Sequence, residues 1–405
     1  MKVLAVNCGS STLKFQVIQL TLEDPLASPG KRLVDGSVNR IGQEGTFKVT
    51  ANEGDEQNEE VAVKDYLDAM RLVLDKLDSL GYLGPDGVEA VGHRVVQGAE
   101  RFTRPVIIDD SVIQGIDELS QLAPLHNKPS LEAIRSAWDR LGTSTPMVAT
   151  FDTLFHLTLP DRASRYPIPL ELAEKHHIKR FGAHGLAHRY MTERYAAVTS
   201  TPVEEVRLIT LQLGSGCSAT AVQGGRSIDT SMGLTPLEGL MMGTRTGDID
   251  PSLPGYLARC EKAEIEEVED WLNKRSGLLG VSGSSQDVRD LLEAAEQGDT
   301  SAALALDMFC YRVRKYIGAY LAVLGGAEAV VFGGGIGENS PFIRERICAG
   351  LEWLGLALDP ALNCSREGSE GRISADTARI HAYVLPVNEA VIIARDTVAC
   401  LNQQA

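Results

Sequence analysis

The chain has little of what characterises secreted, membrane-spanning or nucleic-acid-binding proteins. Its seven cysteines are scattered and form no CxxC pair, which argues against a disulfide framework or a zinc knuckle and for a reducing compartment. No uncharged apolar run approaches the length of a membrane span, and KVLAVN enters a strand without the pattern of a signal peptide. The net charge of −16 disfavours nucleic acid or an anionic membrane as a partner. These absences predict a globular, cytoplasmic protein.

The usual nucleotide-binding signatures are missing as well. The chain contains no GxxxxGK[ST], and its segment GGGIGE lacks the final glycine of GxGxxG. It has instead three loops of small residues: NCGSST at 7–12, LGSG at 213–216 and GGGIGE at 333–338. Read alone, the first loop is either a hairpin turn or a phosphate cradle completed by Lys14.

A weak internal repeat bears on that choice. Residues 4–17 and 209–222 both read as strand, Gly/Ser loop, strand, which favours a duplication with a ligand between two halves, although small-residue hairpins also recur by chance. A length of 405 residues favours two domains. Phosphate-sized loops spread over two related halves indicate an actin-like or sugar-kinase-like α/β fold.

Hydrophobic spacing and capping residues predict several helices. Helices are expected over 65–81, 261–272 and 301–324. A further helix should begin at Pro341, capped by Asn339 or Ser340. The polar stretch TANEGDEQNEE at 50–60 is predicted to be a loop within the first domain.

Longer segments resemble the acetate and propionate kinase family, over nearly the whole chain. They are NCGSSTLK (7–14), GHRVVQGAE (92–100), APLHN (123–127), FDTLFH (151–156), RFGAHG (180–185), DTSMGLTPLEGLMMGTRTGDIDP (229–251), GLLGVSGSSQDVR (277–289), GGGIGENS (333–340) and VNEAVIIARDT (387–397). The resemblance implies a duplicated actin-like, ribonuclease-H-like α/β fold with two domains, 1–151 plus 389–405 and 152–388, and an active-site cleft between them. It also implies a homodimer joined through the second domain.

The resemblance further implies a phosphotransferase that uses Mg²⁺ and moves the γ-phosphoryl group of ATP to acetate, reversibly giving acetyl phosphate and ADP. Arg94 would hold the acid, and the catalytic residues would be Asp152, His184 and Arg245. A guanidinium suits such a role because it pairs with carboxylate or phosphate oxygens through two parallel hydrogen bonds. Since acetate is already ionised at neutral pH, Asp152 could orient the acid or Arg94 rather than remove a proton.

The family's remaining ligand positions carry over residue by residue. Asn7 and Glu389 resemble the magnesium site, with a helix N-terminal charge as the alternative interpretation of Glu389. The acid pocket would consist of Val96, Leu125, Ala183 and Pro236. Nucleotide and phosphates would meet Ser10, Thr12, Lys14, Gln212, Leu213, Gly214, Ser215, Gly216, Asp287, Val288, Arg289, Gly334, Gly335, Ile336, Gly337 and Glu338.

Some positions depart from the family's motifs, namely Gln97, Ala183, Gln212 and Ser215. The altered loop at 212–216 leaves the phosphoryl donor open between ATP and pyrophosphate. An alanine at 183, where the family has Phe, leaves the acid open between acetate, propionate and longer acids. From another class of protein, a nucleotide-dependent scaffold is the remaining alternative, which Arg94 disfavours because a scaffold needs no clamp for a second substrate.

Two histidines also allow an interpretation as metal ligands. His184 and His188 are four apart, a spacing that can bind zinc from one helix face. No third ligand follows at metalloprotease spacing, so the phosphoryl role of His184 is favoured over zinc.

Overall fold

The computed structural model describes residues 1–9, 11–21, 30–51, 55–142 and 144–403, without the side chains of 55, 124 and 125. The predicted phosphate contact Ser10 therefore lies outside the described residues. The chain divides into two compact units, one of Met1–Leu154 with Asn388–Ala405 and one of Phe155–Val387. Asp152, which the prediction gave to the second domain, lies in the first unit.

Strands and helices alternate along much of the chain. The strands are β1 (Lys2–Cys8), β2 (Thr12–Gln19), β3 (Lys31–Asn39), β4 (Glu44–Ala51), β5 (Asp55–Ala62), β6 (Ala90–Val95), β7 (Val106–Ile107), β8 (Met147–Phe151), β9 (Arg207–Leu213), β10 (Cys217–Gln223), β11 (Arg226–Thr230), β12 (Ala329–Gly333), β13 (Gly371–Arg372) and β14 (His381–Val384). The α-helices are α1 (Tyr66–Ser79), α2 (Asp110–Glu118), α3 (Pro124–Leu141), α4 (Asp161–Ser164), α5 (Leu170–Lys175), α6 (Gly185–Thr199), α7 (Leu253–Glu261), α8 (Ile265–Lys274), α9 (Gly277–Ser282), α10 (Val288–Glu296), α11 (Thr300–Leu324), α12 (Gly334–Asn339), α13 (Pro341–Cys348), α14 (Pro360–Ser365) and α15 (Glu389–Asn402). Short 3₁₀ helices cover Leu119–Gln121, Asp152–Thr158, Val203–Glu205 and Glu352–Leu354.

The sheet of the first unit runs in the order β5-β4-β3-β2-β1-β6-β8-β7. Strands β1, β6 and β8 are parallel neighbours, so their carboxyl ends meet at one edge of the sheet. In this register Asn7 pairs with Arg94, and Asp152 directly follows β8. Helix α15 packs on β1 and β6, where Gly92 permits the approach because a Cβ there would lie 2.3 Å from Thr397 Oγ1. The fold thereby brings polar residues from distant parts of the sequence together.

The sheet of the second unit runs in the order β11-β10-β9-β12-β14-β13. Its β9–β10 hairpin is antiparallel, and β9 is parallel to β12. The β1–β2 hairpin of the first unit has the same arrangement, with β1 parallel to β6. The two segments that echo one another in sequence thus hold the same topological position in two sheets. The prediction of a duplicated α/β fold is confirmed.

Most of the predicted helices are present. Helix α1 is capped by Asp65, whose Oδ1 accepts from the Asp68 N–H at 2.9 Å, and α13 is capped by the Ser340 hydroxyl, as expected. The prediction over 261–272 was wrong at its start, because α7 continues to Glu261 and α8 begins at Ile265. No helix of the described part of the chain is long and apolar enough to cross a membrane.

The prediction of a loop was wrong for residues 50–51 and 55–60. Residues 50–51 end β4 and residues 55–60 belong to β5, which pairs with β4 in an antiparallel register, and residues 52–54 lie outside the described part of the chain. Strand β5 lies at the edge of the sheet, and the side chains of 56–60 are exposed. An exposed edge strand has no buried face to specify, and therefore its sequence lacks the alternation that identifies a strand.

Candidate active site

The first unit holds a buried ion pair at the carboxyl ends of its parallel strands. Arg94 is 7% exposed and Asp152 is 0% exposed. Arg94 Nε donates to Asp152 Oδ1 at 3.1 Å, and Arg94 Nη2 donates to Asp152 Oδ2. Burial alone would lower the pKa of Arg94, but the charges of Asp152 and Glu389 raise it above its ordinary value. The guanidinium is therefore held charged and fixed in orientation.

Asn7 and Glu389 adjoin this pair. Arg94 Nη1 donates to Asn7 Oδ1 at 2.9 Å, and Asn7 Nδ2 donates to Glu389. Loss of hydration raises the pKa of Glu389; Arg94 and Lys14 oppose the shift and Asp152 adds to it. The alternative of Glu389 as a helix N-terminal charge also fits, since it is the first residue of α15.

The segment NCGSST spans the end of β1 and the start of β2, which pair as an antiparallel hairpin, and Ser10 within it lies outside the described residues. The Gly9 N–H donates to the Thr12 carbonyl at 2.7 Å, which supports the interpretation of this segment as a hairpin turn. Lys14 lies exposed on β2 and is close enough to Glu389 to favour its ionised form. A hairpin and a phosphate cradle are compatible, because a tight turn of small residues leaves room beside its backbone.

In the second unit, three segments meet around Gly216. A Cβ at Gly216 would lie 3.4 Å from His184 Nε2 and 3.7 Å from Arg245 Nη1. Arg245 Nη1 also donates to the Pro236 carbonyl at 3.1 Å. Burial lowers the pKa of Arg245. The structure thus gathers a histidine, an arginine and a glycine loop, a combination suited to an anion.

A cavity of about 890 Å³ adjoins the glycine loops. Its lining includes members of three of the four predicted nucleotide and phosphate segments, namely Gly214, Ser215, Asp287, Val288, Arg289, Gly335 and Ile336, but none of the segment 10–14. Asp287 caps α10 and pairs with Arg289, which lowers the pKa of the Asp287 carboxyl. A volume of this size suits a drug-sized ligand or a nucleotide.

Residues 334–338, predicted as a loop, lie instead in helix α12 (Gly334–Asn339), and the side chains of Glu338 and Arg344 bind its backbone. Glu338 Oε1 accepts from the backbone N–H of Gly334 at 2.7 Å and of Val387 at 2.9 Å. Arg344 is 0% exposed and donates to the carbonyls of Gly337 and Glu338, each at 2.8 Å. Burial lowers the pKa of Arg344 to about 10. These hydrogen bonds fix the backbone of the glycine-rich helix α12.

Gly334→Ala should destabilise the protein much more than Gly335→Ala. Gly334 has a φ of +76°, and a Cβ there would lie 2.6 Å from the Leu213 carbonyl oxygen, whereas a Cβ at Gly335 meets nothing within 4 Å. The left-handed conformation alone costs alanine about 1–2 kcal/mol. Thermal unfolding of the two variants should give a lower midpoint for Gly334→Ala and a near-wild-type midpoint for Gly335→Ala; equal midpoints would contradict the close approach.

The positions predicted for the acid pocket are divided between the units. Val96 lies in the first and is buried, and the side chain of Leu125 lies outside the described residues. Ala183 and Pro236 lie in the second, where Ala183 is 2% exposed. Its carbonyl is 3.0 Å from His156 Nε2.

Two departures from the family motif occupy defined places. Gln97 is buried and its Oε1 accepts from the Ala99 N–H at 2.9 Å, so it braces a turn in which Ala99 has a positive φ. Gln212 lies at the end of β9, directly opposite Ser218 of β10. Its Oε1 is buried with no hydrogen-bond partner among the described residues.

Zinc has no site at the two histidines. His188 is fully buried, with Nδ1 2.7 Å from Thr210 Oγ1 and Nε2 2.8 Å from Ser218 Oγ. Both of its nitrogens are therefore committed to hydroxyls. Across the described ranges, no group of three or more His, Cys, Asp or Glu could hold a metal ion.

Sequence reasoning missed several residues around these features. They are Ser218, Arg344, Gln286, Leu292, Phe342 and Glu367, of which the last four line the cavity. Leu292 and Phe342 follow predicted segments by a few residues, and a cavity wall at a helix start could have suggested them. Nothing in the sequence distinguishes the buried Arg344 from a surface arginine of α13.

Comparison with known proteins assigns the chain. The model of the Acetokinase family matches residues 2–395. The chain belongs to this family. It is 44% identical to the acetate kinase of Chloroherpeton thalassium over 416 residues, covering 100% of both chains. It is 47% identical to the acetate kinase of Solibacter usitatus over 407 residues, covering 99% of this chain and 98% of the other.

Solved structures of family members have the same fold. The acetate kinase of Porphyromonas gingivalis superposes with a TM-score of 0.87 at 36% identity, over 99% of each chain. A propionate kinase from Francisella tularensis superposes with a TM-score of 0.88 at 37% identity, over 98% of each chain. The family therefore includes relatives named for two different short acids.

Proposed function

We propose that this protein is a phosphotransferase that moves the γ-phosphoryl group of ATP to acetate, reversibly giving acetyl phosphate and ADP. The observation that carries the proposal is the buried guanidinium of Arg94, fixed by Asp152 at the ends of parallel strands. A nucleotide-dependent scaffold has no need for such a group. Membership of the Acetokinase family, with full-length relatives named acetate kinase, supports the same conclusion.

Arg94 would bind the acid through its positive charge and through an N–H group that its bonds to the described residues do not use. Nε and one Nη2 hydrogen go to Asp152, and Nη1 donates to Asn7 and to the Cys8 carbonyl. These bonds use four of the five N–H groups of a guanidinium. The fifth, on Nη2, has no acceptor among the residues that the structure describes, so it and the positive charge are available for a carboxylate. Asp152 would then act by orienting Arg94, which agrees with an acid that arrives already ionised.

His184 and Arg245 would stabilise the phosphoryl group in transfer, because charge spread over its oxygens is the main electrostatic demand of the reaction. The cavity beside Gly214 and Gly335 would hold the nucleotide. Removal of the acid's proton is not required, so neither group needs to act as a base.

Asn7 and Glu389 would hold Mg²⁺. Their amide and carboxylate oxygens are the hard donors that Mg²⁺ prefers, and the raised pKa of Glu389 means that a nearby cation would relieve an unfavourable charge. When bound, the ion would neutralise phosphate oxygens of the nucleotide. We also propose a homodimer joined through the second unit and a cytoplasmic location.

An acyl-phosphate assay tests the proposal directly. Hydroxamate formation should be measured with acetate, propionate and butyrate, each against ATP and pyrophosphate. Acetate with ATP should give the highest kcat/KM. Turnover with pyrophosphate alone would show that pyrophosphate, and not ATP, is the phosphoryl donor. Nucleotide hydrolysis without formation of acyl phosphate would show that a carboxylate is not the acceptor.

Glu389→Gln should change the response of stability to Mg²⁺. The folded-state pKa of Glu389 lies above its unfolded value, so ionisation favours unfolding and stability is lost as pH rises through the folded-state pKa. At pH 7 the neutral glutamine should raise the thermal midpoint of the metal-free protein, and Mg²⁺ should no longer shift it. Glu118→Gln, at an exposed site, is the control. If Mg²⁺ shifted the thermal midpoint of Glu389→Gln as much as that of the wild type, the metal site would have to lie elsewhere.

A second candidate, a kinase of propionate or a longer acid, is favoured by Ala183. The buried alanine stands where the family has a phenyl ring, and each additional buried CH₂ contributes about 0.8 kcal/mol if the space is open. Leu186, also 2% exposed, is the residue that could refill it.

Ala183→Phe should therefore shift selectivity toward acetate. The added ring would shorten the pocket, so kcat/KM for propionate and butyrate should fall more than that for acetate. The measurement is kcat/KM for the three acids in wild type and variant, with Leu186→Ala as the matched enlargement. A strict acetate preference in both proteins would show that position 183 does not set chain length.

A further inference from the structure

His184 is joined to the interior of the second unit by a chain of hydrogen bonds. His184 Nδ1 lies 2.9 Å from Ser218 Oγ, which is also 2.8 Å from His188 Nε2. His188 Nδ1 lies 2.7 Å from Thr210 Oγ1, and that hydroxyl donates to the Thr220 carbonyl at 3.5 Å. We call these four side chains, His184, Ser218, His188 and Thr210, the imidazole relay. His188, Ser218 and Thr210 are 0% exposed.

The direction of each bond in the relay follows from its buried end. The Thr220 carbonyl oxygen lies 3.5 Å from Thr210 Oγ1, so we assign the hydroxyl proton to that carbonyl and the hydroxyl lone pair to His188 Nδ1–H. His188 is neutral, because burial lowers its pKa well below the ordinary value and His156 and His184 lower it further. A neutral imidazole with a proton on Nδ1 presents a lone pair at Nε2. Ser218 must therefore donate to His188 and accept from His184 Nδ1–H.

We infer that Ser218 and His188 are positioning residues that hold the proton of His184 on Nδ1 and direct its Nε2 toward Gly216. This inference rests on the proposed phosphotransferase function for its catalytic meaning, but not for its geometry. Because Nδ1 is always a donor, any second proton is carried on Nε2. The imidazolium then donates from the side where Gly216 and Arg245 lie, because a Cβ at position 216 would be 3.4 Å from His184 Nε2 and 3.7 Å from Arg245 Nη1.

The backbone of His184 makes this support necessary. His184 is the N-cap of α6 in the left-handed conformation, with a φ of +57° and a ψ of +25°. A residue other than glycine adopts that conformation at a cost and persists in it when its surroundings fix it. The relay, anchored on β9, β10 and α6, is such a surrounding. The sequence indicates the pair His184 and His188 by their spacing, but it gives no sign that Ser218 links them.

The first test is spectroscopic and needs no substrate. The chain has eight histidines, so a ¹⁵N-histidine-labelled sample gives few ring signals, and a His184→Gln spectrum assigns those of His184. At mildly alkaline pH, wild-type His184 should have a pyrrole-type Nδ1 and a pyridine-type Nε2. In Ser218→Ala the two tautomers should mix. A wild-type His184 with its proton on Nε2 would overturn the inference.

The second test is kinetic and uses a matched control. Ser218→Ala should lower kcat by about 10- to 100-fold with little change in KM for acetate and ATP, as losses of residues that orient a catalytic group do. Thr220→Val removes another buried hydroxyl bond of β10, the one to Thr230 Oγ1 at 2.9 Å, and leaves the Thr220 carbonyl in place. Equal kcat in the two variants would reject the relay.

Substitutions of His188 keep the inference testable if Ser218→Ala folds poorly. His188→Gln retains an acceptor for Ser218 and should preserve both the His184 tautomer and most of kcat, whereas His188→Met should lose both. A sound tautomer pattern in a protein that forms no acyl phosphate would reject the proposed function and leave the relay standing. Normal acyl-phosphate formation in His188→Met would reject the relay and leave the proposed function standing.

Discussion

Arg94→Ala is expected to lower the free energy of unfolding by about 3–5 kcal/mol and to abolish turnover. Removing one partner of a buried ion pair leaves the other charge without compensation, which is the costly case. Here the carboxylate left behind is Asp152, 0% exposed, and Glu389, whose pKa burial already raises, would lose the same opposing cation. The cost should therefore reach the fold as well as the reaction.

Chemical denaturation and acyl-phosphate formation should be measured on the same preparations. Arg140→Ala is the control, since Arg140 pairs with Asp78 at 2.7 Å where both side chains are about half exposed, and such a pair contributes about 0–1 kcal/mol. Arg94→Lys should recover stability in part and little turnover, because an ammonium cannot make the two parallel bonds. Wild-type stability in Arg94→Ala would mean that the pair is not buried in solution.

Local sequence signals predicted those elements that show apolar spacing or a capping residue. Helix α1 has apolar spacing and a capping aspartate, and α13 begins with a serine cap and a proline, so both were predictable. Strand β5 was not, because an exposed edge strand carries no burial pattern. The start of α8 was missed since the acidic run continues across the end of α7 without a visible break.

The candidate site divides in the same way. Charged residues in motifs, such as Arg94, Asp152 and Arg245, could be selected as candidates, and the structure puts Arg94 and Asp152 in one hydrogen-bonded pair. Supporting residues could not be selected, because their importance comes from long-range contacts. Ser218 matters only through the two imidazoles on α6, and Arg344 only through the carbonyls it reaches.

Arg245→Met should lower kcat by about 100- to 1,000-fold and leave stability unchanged or higher, in contrast to Arg94→Ala. Removing one preorganised donor for a developing anion in a water-poor site costs about 3–4 kcal/mol of transition-state stabilisation. The stability effect has the opposite origin from that at position 94. Burial lowers the pKa of Arg245, so the folded protein bears a cost for keeping this cation, and a methionine of similar length removes that cost.

The pair of variants separates a structural cation from a catalytic one. Arg275→Met, at an exposed position, is the control and should change neither quantity. Arg245→Met should also loosen the Pro236 carbonyl, which Nη1 holds at 3.1 Å, so KM for the acid is expected to rise modestly while the loss in kcat dominates. If Arg245→Met unfolded at a much lower denaturant concentration with kcat within a few-fold of wild type, Arg245 would be a structural residue, and the stabilisation of the transferring phosphoryl group would have to come from His184 and the backbone of the 212–216 loop.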